Sequence, residues 1–286
     1  AKGEPVIHPY SRARMQLQTP LDFLAVSDHA ELMGTPYALF TQGDKRLANT
    51  RLGKRLIELQ NAGNDEDAFG LFILAITLAN TPAEQRPKKV GLGTALLWRW
   101  QDLTSAPDLR ARATRWLISD PALLEELANE ELFRTFWAKN LDAATKHNRP
   151  GKFTTFAAWE YTPTPDGANL HRIVITDGEP DKAKAYLPYS ANDSGDPEDM
   201  WRWLDKTRAE TGADFISIPH NSNISKGRMF ATVDFDGRPI TADYARLRSS
   251  WEPIAEVTQI KGTSETHPVL SPDDDFAGFE FFGRLI

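Results

Sequence analysis

The chain has 286 residues, 41% hydrophobic and 26% charged, with a formal charge of −7 and no cysteine. So ordinary a composition excludes a disordered tail, a collagen-like fibre and a coiled coil, and the missing cysteines exclude disulfide scaffolds, zinc ribbons, iron–sulfur sites and cysteine nucleophiles. The acidic balance weighs against nucleic acid as the main partner, because phosphate contacts need clustered Lys and Arg. The longest strongly apolar stretch, Leu71–Ala79, is far short of the ~20 residues of a membrane-spanning helix.

Residues 1–31 hold a turn-rich lead and one apolar run, Leu21-Asp22-Phe23-Leu24-Ala25-Val26, read as a strand ending at Ser27-Asp28-His29. Residues 32–148 contain few β-branched clusters and read as a mainly helical insertion. Within it, Phe69–Leu78 and Thr94–Leu103 predict two shorter helices, and the polar Gln85-Arg86-Pro87-Lys88-Lys89 breaks the chain between them. Asp120-Pro121 is an N-cap followed by proline at the first helical position. Beyond it Leu123, Leu124, Leu127, Leu132, Phe133, Phe136, Trp137 and Leu141 keep helical spacing, which predicts one long amphipathic helix ending near His147-Asn148-Arg149-Pro150-Gly151.

From residue 149 onward short apolar runs alternate with Gly, Pro, Asn and Asp. Phe153–Trp159 reads as a strand that stops at Glu160, and Leu170–Thr176 as the next, with His171 near its start. Asp196-Pro197-Glu198-Asp199 caps a helix over Met200–Glu210 that ends at Gly212. Phe215–Ile218 is a strand stopping at Pro219-His220. Ile254–Ile260 is another, with Glu256 inside it and Lys261-Gly262 after it. Strands separated by helices predict an α/β fold with a parallel sheet or barrel.

What ends these strands is informative. Asp28-His29, Glu160, His171 and His220 each lie at or beside a strand terminus, and parallel α/β folds build their sites at one rim of the sheet. Imidazole and carboxylate are ligands for Zn, Mn and Fe, and no thiolate competes. Taken singly, each has an ordinary alternative: a hydrogen-bonded turn for Asp28-His29, a strand leaving the core for Glu160, a solvated strand edge for His171. The loop Pro219-His220-Asn221-Ser222-Asn223 is polar and sharply turned, which favours a site there. Glu256 would face the site or pair with a base, since a buried acid needs a partner. Arg172, Arg228 and Lys261 are the nearby cations able to clamp an anion, with ordinary surface charge as the alternative. His8, His147 and His267 read as turn or loop residues. Neither a Gly-x-Gly-x-x-Gly turn, a Gly-x-x-x-x-Gly-Lys-Ser/Thr loop nor a Gly-x-Ser-x-Gly elbow occurs.

The segment Pro20–Glu31, followed in order by Glu160, by Asn169-Leu170-His171-Arg172 and by Ile218-Pro219-His220-Asn221, resembles the metal motifs of the polymerase-and-histidinol-phosphatase (PHP) superfamily. More narrowly, Ala1-Lys2-Gly3-Glu4-Pro5, Pro219–Asn223 and Gln259–Thr266 resemble the bacterial domain of unknown function 3604 family. The resemblance runs from residue 1 to about residue 280 and is weakest through the helical insertion at 32–148. It implies a single distorted (β/α)7 barrel with two or three divalent ions, Zn, Mn or Fe, at its C-terminal rim. Carried over, His29, Glu160, His171 and His220 are metal ligands, Glu160 a bridging and catalytic carboxylate, and Asp28 a supporting or catalytic acid. Asn221, Asn223, Arg172, Arg228 and Lys261 are the expected contacts to substrate, and Glu256 a support behind the ligands.

The implied activity is metal-dependent hydrolysis of a small-molecule phosphate ester. The superfamily's opening His-x-His and closing Asp-x-His motifs are absent from these residues. Without residues 32–148, what remains is below the ~200 residues at the lower end for a closed barrel. The expectation is therefore an incomplete barrel, read as an internal fragment. Two rivals accompany the hydrolase: a non-catalytic, degenerate binding module that kept the fold, and a metal-dependent enzyme of amidohydrolase type.

Overall fold

Four of the five expected strands, all but Ile254–Ile260, are realised in the computed structural model, which describes residues 1–8, 11–79, 116–117, 120, 122–123, 126–177 and 180–278. The elements in chain order are β1 (Val6–Ile7), β2 (Arg14–Met15), β3 (Phe23–His29), α1 (Thr35–Phe40), α2 (Lys45–Ala48), α3 (Arg51–Asn61) and α4 (Asp65–Ala79). They continue with α5 (Glu130–His147), β4 (Thr154–Tyr161), β5 (Arg172–Thr176), α6 (Pro180–Ala183), α7 (Pro197–Thr211), β6 (Phe215–Pro219), α8 (Ala242–Trp251), β7 (Thr258–Gln259) and β8 (Gly262–Thr263). The expected helix at Thr94–Leu103 and the breaker at 85–89 lie outside the described residues.

β3, β4, β5 and β6 form one sheet in that order. β3 and β4 are parallel, but β5 runs antiparallel to both of its neighbours, so the sheet is mixed rather than parallel. The reason lies in the β4–β5 connection, which holds only the 3-10 turn Pro165–Gly167. A parallel return needs a crossover of roughly a dozen residues or more, usually a helix. Among the described residues no strand closes β6 back onto β3, and the sheet is open.

One sheet face is buried. Trp159, Tyr161, Val174 and Phe215 point from it into a core with Trp137 and Leu141 of α5, Met200, Trp201 and Leu204 of α7, and Trp251 of α8. Two of the indoles there keep their polar edges paired: Trp137 donates to the Ala183 carbonyl and Trp159 to the Tyr189 carbonyl. A second core joins α1 to α4 through Leu39, Leu52, Leu56 and Leu71, with Leu123 and Leu127. Leu132 lies in this second core, while Trp137 and Leu141 of the same helix lie in the first, so α5 ties the helical segment to the sheet. Gly34, at φ +72°, opens α1, and a Cβ there would fall inside the Phe136 ring of α5.

Two expectations need correction. The long helix begins at Glu130 rather than Asp120, because Asn129 caps it by accepting from the Leu132 N–H. Upstream, Asp120 does accept the Ala122 N–H as a cap would, but the turn there is a separate one, and Asp120 and Glu126 also pair with Arg51, while Glu126 accepts the Leu52 N–H at the start of α3. The expected strand at Ile254–Ile260 is also absent as such. Only Thr258–Gln259 pairs, in a two-residue hairpin with Gly262–Thr263, and residues 254–257 are irregular. Exposed Ile254 and Val257 offer that segment no core to pack against.

The cap of α7 is as read: Asp196 accepts the Glu198 N–H, Pro197 follows, and Gly212 closes the helix in the left-handed conformation. Burial, with help from the charges of Glu198 and Asp199, pushes the Asp196 carboxyl up to about 6. A carboxyl whose folded pKa is raised favours the fold at acid pH, and that contribution fades as pH rises through about 6. Asp196→Asn keeps an acceptor at the cap and removes the charge. Urea unfolding at about pH 5 and about pH 7.5 will show the wild type losing ground to the variant at the higher pH. An equal difference at both would contradict this reading.

Candidate metal centre

The direction of β5 brings the site together. β3, β4 and β6 point their C-terminal ends to one rim, and the antiparallel β5 points its N-terminal end there. His171 would lie at the wrong end of an all-parallel sheet, and here it lies at the right one. His29 and Glu160 are register partners across β3 and β4. His171 precedes β5, His220 follows β6, and the His220 N–H donates to the His171 carbonyl at 3.2 Å.

The side chains converge on a single carboxylate. Glu160 Oε1 is 3.0 Å from His171 Nδ1 and 3.0 Å from His220 Nε2. Glu160 Oε2 lies 3.8 Å from His29 Nδ1, beyond hydrogen-bond reach. His171 and His220 are buried, whereas the His29 side chain is 62% exposed, so the cluster opens on the His29 side. Burial pulls the Glu160 pKa upward, but hydrogen bonds from His171 and His220, with His29 nearby, overcome it and hold the carboxyl well below the usual range. Burial lowers His171 to about 4 against the pull of Glu160, so its imidazole is neutral at pH 7.

Glu160, His171 and His220 could hold a metal ion, since their ligand atoms all lie within 4.8 Å of one another. Two ligand atoms of a tetrahedral zinc site, each ~2.0–2.1 Å from the ion, are separated by about 3.3 Å. The observed 3.0 Å spacings are a few tenths shorter. His171 Nε2 and His220 Nδ1 are buried without a hydrogen-bond partner among the described residues, so the usual outer support for ligating imidazoles is not built there.

Neighbouring residues hold this geometry. The Asn169 carboxamide accepts the His171 N–H at 3.1 Å, an Asn-x-His turn whose signal was present in the sequence. Glu31 is buried directly after the β3 end, where its carboxylate accepts the N–H groups of Thr162 and Ala191, each at 2.9 Å, and the Thr162 hydroxyl. Burial raises its pKa despite these bonds. Glu31 thereby pins the segment after His29 to the segment after Glu160. Only the fold reveals its partners, at positions 162 and 191.

Other expected site residues are placed as follows. Asp28 is exposed and makes no hydrogen bond to His29 among the described residues. Arg172 is not brought to the cluster: its guanidinium is buried against the Glu252 carboxylate at 2.8 Å and also donates to the Leu170 carbonyl. Arg228 stacks on Phe235 and reaches the Pro165 carbonyl and Asp166. Lys261 is exposed at the turn between β7 and β8. Asn223 is used structurally, donating to the Lys261 carbonyl and accepting from Ser264. Glu256 is tied by its N–H to the Pro219 carbonyl, and its carboxylate accepts from Gln259. Asn221 is fully buried at φ +57°, and both polar atoms of its carboxamide lack a partner among the described residues.

A family model described as "Protein of unknown function (DUF3604)" matches residues 1–285. The chain belongs to the DUF3604 family. No curated protein and no solved structure matches it. The DUF3604 match spans sheet, helical segment and site together, so residues 32–148 fall within the matched region.

Proposed function

We propose that this DUF3604 chain carries a divalent-metal centre of PHP type and acts as a metal-dependent hydrolase on a small-molecule phosphate ester. The observation that carries the reading is the convergence of His171 Nδ1 and His220 Nε2 on one oxygen of Glu160, with His29 beside the other oxygen. In this reading the open sheet is part of a distorted (β/α)7 barrel. Glu160, His171 and His220 would hold the metal on the buried side of the centre, and His29 would complete the set at the open side. Bound divalent ions, Zn, Mn or Fe, lower the pKa of a bound water and offset charge on a transferring phosphoryl group. The low pKa of Glu160 and the neutral His171 keep both residues in their ligating forms at pH 7. Substrate enters past His29, the exposed member.

The test pairs metal analysis with hydrolysis of 4-nitrophenyl phosphate by the wild type and His220→Ala. The expected result is metal-dependent turnover in the wild type and a loss of about 100-fold or more in kcat/KM, with weakened metal binding, in the variant. A variant that binds metal and turns over like the parent overturns the site assignment. Turnover of amide substrates alone would move the reaction to the amidohydrolase class.

A further inference from the structure

His29 is the loosely held member of the cluster. His171 and His220 are buried and each lies 3.0 Å from Glu160, whereas the His29 side chain is 62% exposed and its Nδ1 stands 3.8 Å from Glu160 Oε2. Beyond an edge contact with the His171 ring, its place is set by its backbone. That backbone is the last residue of β3, which pairs with β4 alone among the described residues. The end of such an edge strand is where a ladder opens most easily.

The residues just past His29 oppose that opening. The Ala30 N–H donates to the Glu160 carbonyl at 2.9 Å. One oxygen of the buried Glu31 carboxylate takes the N–H groups of Thr162 and Ala191, and the other takes the Thr162 hydroxyl. Three donors on one side chain call for an acceptor-only group. Asn192 Nδ2 also donates to the Glu31 carbonyl, at 2.6 Å. The segment carrying Ala191 and Asn192 is itself tied to β4, where Trp159 donates to the Tyr189 carbonyl and the Tyr161 hydroxyl to the Ser194 carbonyl. Glu31 is two residues past His29, and Thr162 is two past its register partner Glu160, so the carboxylate closes a short ring of chain around that pair. We infer that Glu31 is a positioning residue for His29, holding the exposed imidazole beside Glu160 and so within reach of a bound ion. The inference rests on the metal-centre reading and adds what keeps the open-side ligand in place. His171 and His220 have supports of their own, Asn169 on the His171 N–H and the His220 N–H on the His171 carbonyl.

Zinc affinities of the wild type, Glu31→Ala, His29→Ala and the double variant, each measured against a competing chelator dye, form a cycle that separates this role from a general loosening of the fold. Glu31→Ala is expected to bind zinc about tenfold more weakly or worse. In the His29→Ala background the same substitution should change zinc affinity by less than about twofold, while thermal unfolding shows the same loss of stability in both backgrounds. Glu31→Gln keeps an acceptor for the two N–H groups and offers a donor to the Thr162 hydroxyl, and should bind zinc within about threefold of wild type. If Glu31→Ala does not fold, Glu31→Asp, one methylene too short to reach both segments, completes the same cycle. An equal loss of zinc affinity in both backgrounds, wild-type affinity in Glu31→Ala, or no rescue in Glu31→Gln overturns the inference and leaves Glu160, His171 and His220 standing as the centre. A wild-type chain that binds no zinc overturns the metal-centre reading, and the role of Glu31 with it.

Discussion

Glu160→Gln will weaken zinc binding by about 100-fold or more while leaving the fold in place. Glu160 is the one carboxylate that both buried imidazoles touch, at 3.0 Å each, and its side chain is only 14% exposed. Glutamine keeps the volume and one acceptor oxygen, so the hydrogen bonds to His171 and His220 have a partial replacement. It cannot supply the negative charge that a divalent cation needs in a partly buried site. Titration against a competing chelator dye measures the loss directly, and a thermal melt without metal checks the fold. Wild-type affinity in the variant would mean that zinc binds elsewhere.

Glu252→Ala is expected to cost about 3–5 kcal/mol of stability, the scale for breaking a buried ion pair. Glu252 lies just past α8, and its side chain is 1% exposed. It accepts from Arg172 at 2.8 Å, from Arg248 at 3.0 Å and from the Trp201 indole at 2.9 Å. Removing it leaves the Arg172 guanidinium, 2% exposed, without its carboxylate and strands an indole N–H in the core. Arg172 directly follows His171, so the same loss loosens the ligand from behind. Urea unfolding measures the first effect, and zinc affinity the second. A destabilisation below about 1 kcal/mol would place this network among solvated surface pairs.

Much of the sheet was legible because its signals are local. The apolar runs at 21–26, 153–159, 170–176 and 215–218 correspond to β3, β4, β5 and β6 within a residue or a few. The cap at Asp196-Pro197 and the stop at Gly212 fix α7 through nearest-neighbour chemistry. The same holds for the candidate metal cluster, whose members sit where strands begin or end. What was hidden depends on distant partners. The direction of β5 follows from a connection too short to cross over, and no residue within β5 encodes it. Arg172 has the sequence appearance of an anion clamp, and only Glu252, eighty positions away, turns it into a core ion pair. Glu31 likewise shows its role only when Thr162 and Ala191 come to its carboxylate. Ile254–Ile260 has the composition of a strand but no neighbour to pair with over most of its length, and composition alone does not make one.

In the function proposed above, His171, His220 and Glu160 enclose a metal ion. Diffraction from crystals grown with zinc, recorded on both sides of the zinc absorption edge, tests it most directly. An anomalous peak is expected about 2.0–2.2 Å from a Glu160 carboxylate oxygen, His171 Nδ1 and His220 Nε2. Anomalous signal only elsewhere, with the three side chains still hydrogen-bonded to one another at saturating zinc, would contradict it.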